Sequence, residues 1–117
     1  MAFRFEHLEI WHDAVLYANE IYKLTKKFPR EEVFSLTDQL RRAVSSISTN
    51  IAEGAGSSSK KDFGHYLDIA IKSTYETVSL LFLAEQQGYI AETERVVFYQ
   101  KAEILVKKIQ KFKSFLK

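Results

Sequence analysis

Apolar residues recur three and four positions apart through four long stretches of the chain, with polar residues between them. That is the spacing of a helix that buries one face. The first stretch, about residues 7–27, carries Leu8, Trp11, Ala14, Val15, Ala18, Ile21, Tyr22 and Thr25 and is centred on Trp11, Val15, Ala18 and Tyr22. The second, 35–54, carries Leu36, Leu40, Ala43, Val44, Ile47 and Ile51. Along the third, 60–87, the stripe is Phe63, Tyr66, Leu67, Ala70, Thr74, Val78, Leu81 and Phe82. The fourth, 92–116, has Phe98, Ala102, Leu105, Ile109, Phe112 and Leu116. No stretch alternates as a strand does.

Short punctuation separates the stretches. Phe28-Pro29 ends the first, because a residue before proline avoids the helical region. Ser35 and Ser59, each followed three residues later by an aspartate, read as helix caps. Gly54 and Gly56 are expected to stop the second helix, and Gly88 to close the third. Gly64 falls inside the third helix, at a cost of about 1 kcal/mol relative to alanine. Four amphipathic helices joined by short links predict an all-α fold, an up-down-up-down antiparallel four-helix bundle formed by residues 1–117 as one domain.

The third helix has more apolar surface than one core needs. At 100° per residue, Ile69, Leu80 and Leu83 lie roughly 90° or more from the centre of its stripe. Two readings stay open: a helix central to the bundle and broadly covered, or a second buried face for self-association.

Length and composition fit this picture. The chain has 117 residues, 46% hydrophobic and 27% charged, the balance of a globular protein. The absence of cysteine excludes disulfides and thiolate metal sites and suits a reducing cytoplasm. The first residues lack the apolar core of a secretory signal, and no apolar run has the roughly 20 residues of a membrane span. Net charge is only +2, but residues 101–117 hold six lysines against Glu103 alone. Lys101, Lys108 and Lys111 share a flank with Lys107 beyond them, and Lys60 and Lys61 open the third helix. Such lysines either solvate a face and complement helix dipoles or contact nucleic-acid phosphates; the first is the commoner case.

Candidate chemistry is sparse. Glu9 and His12 have the Glu-x-x-His spacing of di-iron bundles, and Asp62 and His65 nearly so. Both pairs fall away from the apolar stripes, so no metal is expected. The Gly54–Lys61 segment lacks the Gly-Lys-Ser/Thr ending of a phosphate loop and follows a helix rather than a strand. No Ser/His/Asp set is in register. Neither an enzyme nor a bound cofactor is expected.

The most unusual feature is a polar ridge on the second helix: Gln39, Arg42, Ser46, Asn50 and Glu53, in steps of three and four. Ser73 and Glu76 sit similarly beside the stripe of the third. Polar groups aligned next to a core are costly unless paired. They are therefore expected to form a hydrogen-bond network between helices or subunits, with Arg42 meeting Glu53 or Glu76.

At these residues the sequence resembles a known family. The run Gln39-Leu40-Arg41-Arg42-Ala43, Ser46-Ile47 and Asn50-Ile51-Ala52-Glu53-Gly54 carries the resemblance. Trp11, Phe28-Pro29, Glu32, Leu36, Phe63, Tyr66-Leu67, Ala70, Ser73, Glu76 and Gly88-Tyr89-Ile90 extend it. The family is that of four-helix proteins encoded in intervening sequences of bacterial 23S ribosomal RNA genes. Accessory variability proteins of diversity-generating retroelements look similar. The resemblance implies a homo-oligomeric ring, a pentamer in relatives, acting as a scaffold or adaptor with the polar ridge as a structural signature. It also implies, as an alternative, a basic surface that engages RNA or a nucleic-acid enzyme, from which the modest net charge departs.

Overall fold

The computed structural model describes residues 2–116; Met1 and Lys117, the ends of the expected domain, lie outside the described residues. Helix α1 is Glu9–Thr25, α2 is Leu36–Ala55, α3 is Lys60–Gln86 and α4 is Glu92–Ser114. Short 3₁₀ turns at Arg4–His7 and Arg30–Glu32 precede α1 and α2, and no strand occurs among the described residues. The 27 residues of α3 span roughly 40 Å at 1.5 Å per residue, which accounts for most of the 44 Å long axis of the molecule.

Packing runs α1 on α2, α2 on α3, α3 on α4 and α4 back on α1, and among the described residues the backbones of the two diagonal pairs do not come close. Side-chain contacts give the direction of each pair. Tyr22 meets Ser45 and Thr25 meets Arg41 between α1 and α2. Ser46 meets Ser73 between α2 and α3, and Gly54 lies against Phe63 and Tyr66. Phe82 meets Tyr99 and Phe63 meets Phe112 between α3 and α4. Asp13 meets Lys108 and Glu20 meets Lys101 between α1 and α4, and Lys27, just past the end of α1, meets Glu94. In every pair the numbers rise along one helix as they fall along the other, so all four seams are antiparallel.

The helix ends follow from capping chemistry, with two corrections. Ser59 caps α3, its Oγ accepting from Asp62 N at 3.0 Å. Ser35 does not cap α2 with its side chain. Glu32 takes that role from the preceding turn, its carboxylate accepting from Leu36 N at 3.2 Å. At the end of α3, Gly88 has φ +78°. Its N–H donates to Glu85 O while Tyr89 N–H donates to Ala84 O, the paired bonds of a Schellman closure.

Gly54 does not stop α2. It is a buried position inside the helix, where a Cβ would come within 2.8 Å of Tyr66 Cβ and 2.9 Å of Phe63 Cδ1. Here glycine lets α2 and α3 approach closely. Gly64 has no such constraint: a Cβ would meet only Lys113 Cε, at an ordinary 3.5 Å. Gly64→Ala is therefore expected to stabilise the fold by about 0.5–1 kcal/mol through helix propensity and a less flexible unfolded chain. An upward shift in the denaturant midpoint at unchanged slope would show it.

The stripe of α2 is buried as expected: Leu36, Leu40, Ala43, Val44, Ile47 and Ile51. That of α1 is rotated by roughly 90° at 100° per residue. Its buried side is Ile10, Ala14, Tyr17, Ala18, Ile21, Leu24 and Thr25, while Tyr22 is exposed and Trp11 and Val15 are half-buried. Helix α1 is apolar on two overlapping faces, and α4 decides between them by covering Tyr17. The Tyr17 hydroxyl donates to Phe98 O at 3.0 Å. Burial, reinforced by the Glu20 charge, pushes its phenol well above the ordinary tyrosine range.

Candidate interaction surfaces

The polar ridge divides into two parts. Its inner part closes on itself between α2 and α3. The Ser46 and Ser73 hydroxyls share a hydrogen bond of 2.9 Å, and Asn50 Nδ2 donates to Ser46 O at 2.8 Å and to Ser46 Oγ at 2.9 Å. Next to it, the Thr77 hydroxyl donates to Ser73 O. No buried side-chain polar atom lacks a partner among the described residues, so this network carries no desolvation penalty left open. Its outer part faces solvent. Gln39, Arg42, Glu53 and Glu76 are all exposed. Arg42 pairs with neither Glu53 nor Glu76; its Nε donates to Asp38 Oδ2 at 2.9 Å, one turn back on the same helix.

Apolar exposure is concentrated elsewhere than on the expected face. Ile69 and Leu80 are half-buried, Leu80 packing on the core, and only Leu83 is open, at 45%. The most exposed aromatic side chains are Phe34 at 94%, Phe115 at 74%, Tyr75 at 66% and Phe3 at 64%, the first and third of them away from the chain ends. Phe82, expected in the core stripe, lies at the surface with its ring edge-on to Tyr99 and the Arg95 guanidinium 4.5 Å above it. The core side of α3 passes instead through Thr74, Thr77, Leu81 and Ala84. Small residues there let the neighbouring helices close in and leave the bulky Phe82 outside. Between α3 and α4 runs a groove of about 350 Å³, floored by Thr74, Val78 and Ala102 and walled by Tyr75, Tyr99 and Val106. Periodicity gave no warning of Phe34, which sits in an irregular connection.

The six lysines do not form one stripe. Lys101 is paired with Glu20, and Lys108 with Glu9 at 2.7 Å and Asp13 at 2.9 Å. The hydrogen bonds it donates to Glu9 and then to Asp13 hold the Lys108 ammonium above its ordinary range. These two therefore join α4 to α1. Lys107 and Lys111 are exposed and enter no ion pair among the described residues. Lys60 and Lys61 lie at the opposite end of α3 from Gly88, lining a shallow cavity with His65, Asp68 and Lys113.

Glu9 and His12 do not converge. Glu9 is held by Lys108, and His12 Nε2 lies 2.7 Å from Glu6 O. Among the described residues no group of three or more histidine or carboxylate side chains gathers as a metal site requires. No helix among them is long and apolar enough to cross a membrane.

The sequence matches the 23S rRNA-intervening sequence protein family over residues 6–111. The chain belongs to that family. A crystal structure of a protein of unknown function from the S23 ribosomal protein family of Bacteroides thetaiotaomicron shares the fold, with a TM-score of 0.82 at 25% identity. The similarity covers 90% of this chain and 95% of that one. No curated protein matches the sequence.

Seen in this family member, the residues that carry the resemblance meet one another. Ser46 and Asn50 bond to each other and Ser46 to Ser73; Gly54 receives Phe63 and Tyr66. At the far end the Phe28 ring lies 5.6 Å from that of Tyr89, whose hydroxyl donates to Glu32 Oε2 at 2.7 Å. That bond, then the one from Leu36 N–H, holds the Glu32 carboxyl below its ordinary range. The sign of the linkage follows. Stability from Glu32 is fully present above the unfolded-state carboxyl value and is lost as pH falls through the lower folded-state value. Tyr89→Phe is expected to move acid unfolding, followed by circular dichroism, to a higher pH than in the native protein.

Proposed function

We propose that this 23S rRNA-intervening sequence protein is a non-enzymatic, homo-oligomeric scaffold or adaptor. The observation that supports it is the exposed apolar surface of a small bundle, above all Phe34 and the α3–α4 groove around Tyr75. Aromatic side chains left in water on a folded protein are characteristic of contact surfaces. Of the pair with di-iron spacing, Glu9 is taken up by Lys108 and His12 lies against the Glu6 carbonyl. The family resemblance adds the expectation of a five-membered ring, and the lack of cysteine suits a cytoplasmic setting. Light scattering or sedimentation at micromolar concentration tests assembly directly: a mass several times the 13.6 kDa of one chain is expected, and a strict monomer overturns the reading.

A second reading is contact with RNA, supported by exposed Lys107 and Lys111, which form no ion pair among the described residues, and by Lys61 at the start of α3. Phosphate contact of this kind weakens steeply as salt rises. Retention on structured RNA at low ionic strength that is lost with added salt supports it, and no retention removes it. Gene context separates the roles further: a position within a ribosomal RNA gene, or beside a reverse transcriptase, points to a different partner.

A further inference from the structure

We infer that copies of this chain join head to tail, the Val33–Phe34 projection of one entering the α3–α4 groove of the next. The inference rests on the homo-oligomeric reading above and gives it a contact.

The projection is built to stay outside. Phe34 is 94% exposed and its neighbour Val33 is also open, yet the connection that carries them is firmly held. The Arg30–Glu32 turn is tied by Glu32 to the Tyr89 hydroxyl and to Leu36 N, and Phe28, just before it, is buried against Tyr89. An aromatic residue on an anchored turn loses little freedom on binding, the property that makes such residues interface anchors.

The groove has complementary character. Tyr75, Val78, Tyr99, Ala102 and Val106 give it an apolar lining, with Glu103, Lys107 and Gln110 as its polar edge. Lys107 stands at its rim without an ion pair among the described residues, as does Glu31 beside the projection. Docking Phe34 in the groove allows Glu31 and Lys107, of opposite sign, to neutralise each other. Because the helices pack in the cyclic order α1, α2, α3, α4, the α3–α4 side lies across the bundle from the α1–α2 connection. One copy thus presents the projection to one neighbour and the groove to another. A contact between unlike patches repeats until it closes a ring or runs on as a filament.

The test uses Phe34→Asp, which spoils the projection, and Tyr75→Glu, which spoils the groove. Both sites are exposed, so both variants should fold, and circular dichroism checks this. Each alone is expected to sediment as a monomer where the native chain assembles. Mixed at high concentration, they should form a species of twice the monomer mass, because one intact projection then faces one intact groove. Glu31→Lys and Lys107→Glu should each weaken assembly at least several-fold, and the double variant should recover it. If the native chain assembles and both spoiled variants still assemble as it does, the head-to-tail contact is wrong while self-association stands. A mixture that stays monomeric also rejects the contact. A monomeric native chain rejects both.

Discussion

Phe63→Ala is expected to lower the free energy of unfolding by about 3–5 kcal/mol, the cost of deleting a large aromatic from a close-packed interior. Phe63 is 2% exposed and lies where three elements meet. Its ring is 5.5 Å from that of Phe112 on α4 and touches the open face of Gly54 on α2, with the Arg4 guanidinium 4.9 Å above it. None of these neighbours can move in to fill the space: Gly54 has no side chain to extend, and Phe112 is fixed by α4. The measurement is chemical denaturation followed by far-ultraviolet circular dichroism. As a control, Leu16→Ala, at an exposed site on α1 away from the proposed contact, should change stability by no more than about 0.5 kcal/mol. A loss at Phe63 as small as that of the control would mean that the end of the bundle is not packed as described.

The second large effect comes from adding one methyl group. Gly54→Ala places a Cβ 2.8 Å from Tyr66 Cβ and 2.9 Å from Phe63 Cδ1. The phenyl ring can turn a little, but a Cβ moves only with its backbone, so α2 and α3 must part locally. Over-packing of this kind costs about 1–3 kcal/mol, and outweighs the roughly 1 kcal/mol that alanine gains over glycine in helix propensity. The two substitutions should also couple. Without the Phe63 ring one of the two clashes disappears, so the double variant should lose less than the sum, by 0.5 kcal/mol or about that much. Strict additivity would falsify the claim that the two side chains compete for one space. The opposite signs expected at Gly54 and Gly64, two glycines of the same bundle, separate close approach from mere helix propensity.

Which parts of this were legible in the sequence depended on how many faces of a helix are apolar. Helix α2 has one, and its buried set is the one the spacing gives. Helix α1 has two, and spacing alone chose the side of Trp11 and Tyr22; the deciding fact is tertiary, the shelter that α4 gives Tyr17 and the carbonyl it supplies. Gly54 and Gly88 look alike as punctuation. Only the backbone distinguishes a glycine turning the chain at positive φ from one letting two helices touch. Among the polar ridge residues, three- and four-residue steps identified Ser46 and Asn50 as neighbours. They gave the wrong partner for Arg42, because Asp38, one turn back, is nearer than any acid on another helix. The lysines were visible as a basic segment, but the acids of α1 that take up Lys101 and Lys108 stand some eighty or more positions away. Phe34 was invisible to periodicity, since an irregular connection has no period to depart from.

The charges that bind α4 to α1 have one more consequence. These two helices are the only adjacent pair with no loop between them, so nothing covalent sets how far one slides along the other. Asp13 and Glu20 on α1 and Lys27 just past its end advance by seven residues, and their partners Lys108, Lys101 and Glu94 retreat by seven along α4. The sign reverses at the last rung. A slip of one heptad in one direction brings Glu94 against Glu20, and a slip in the other brings Lys101 against Lys27. Each pair is weak on its own, but together they leave a single offset at which no like charges collide, and the seam that lacks a tether gains a ruler.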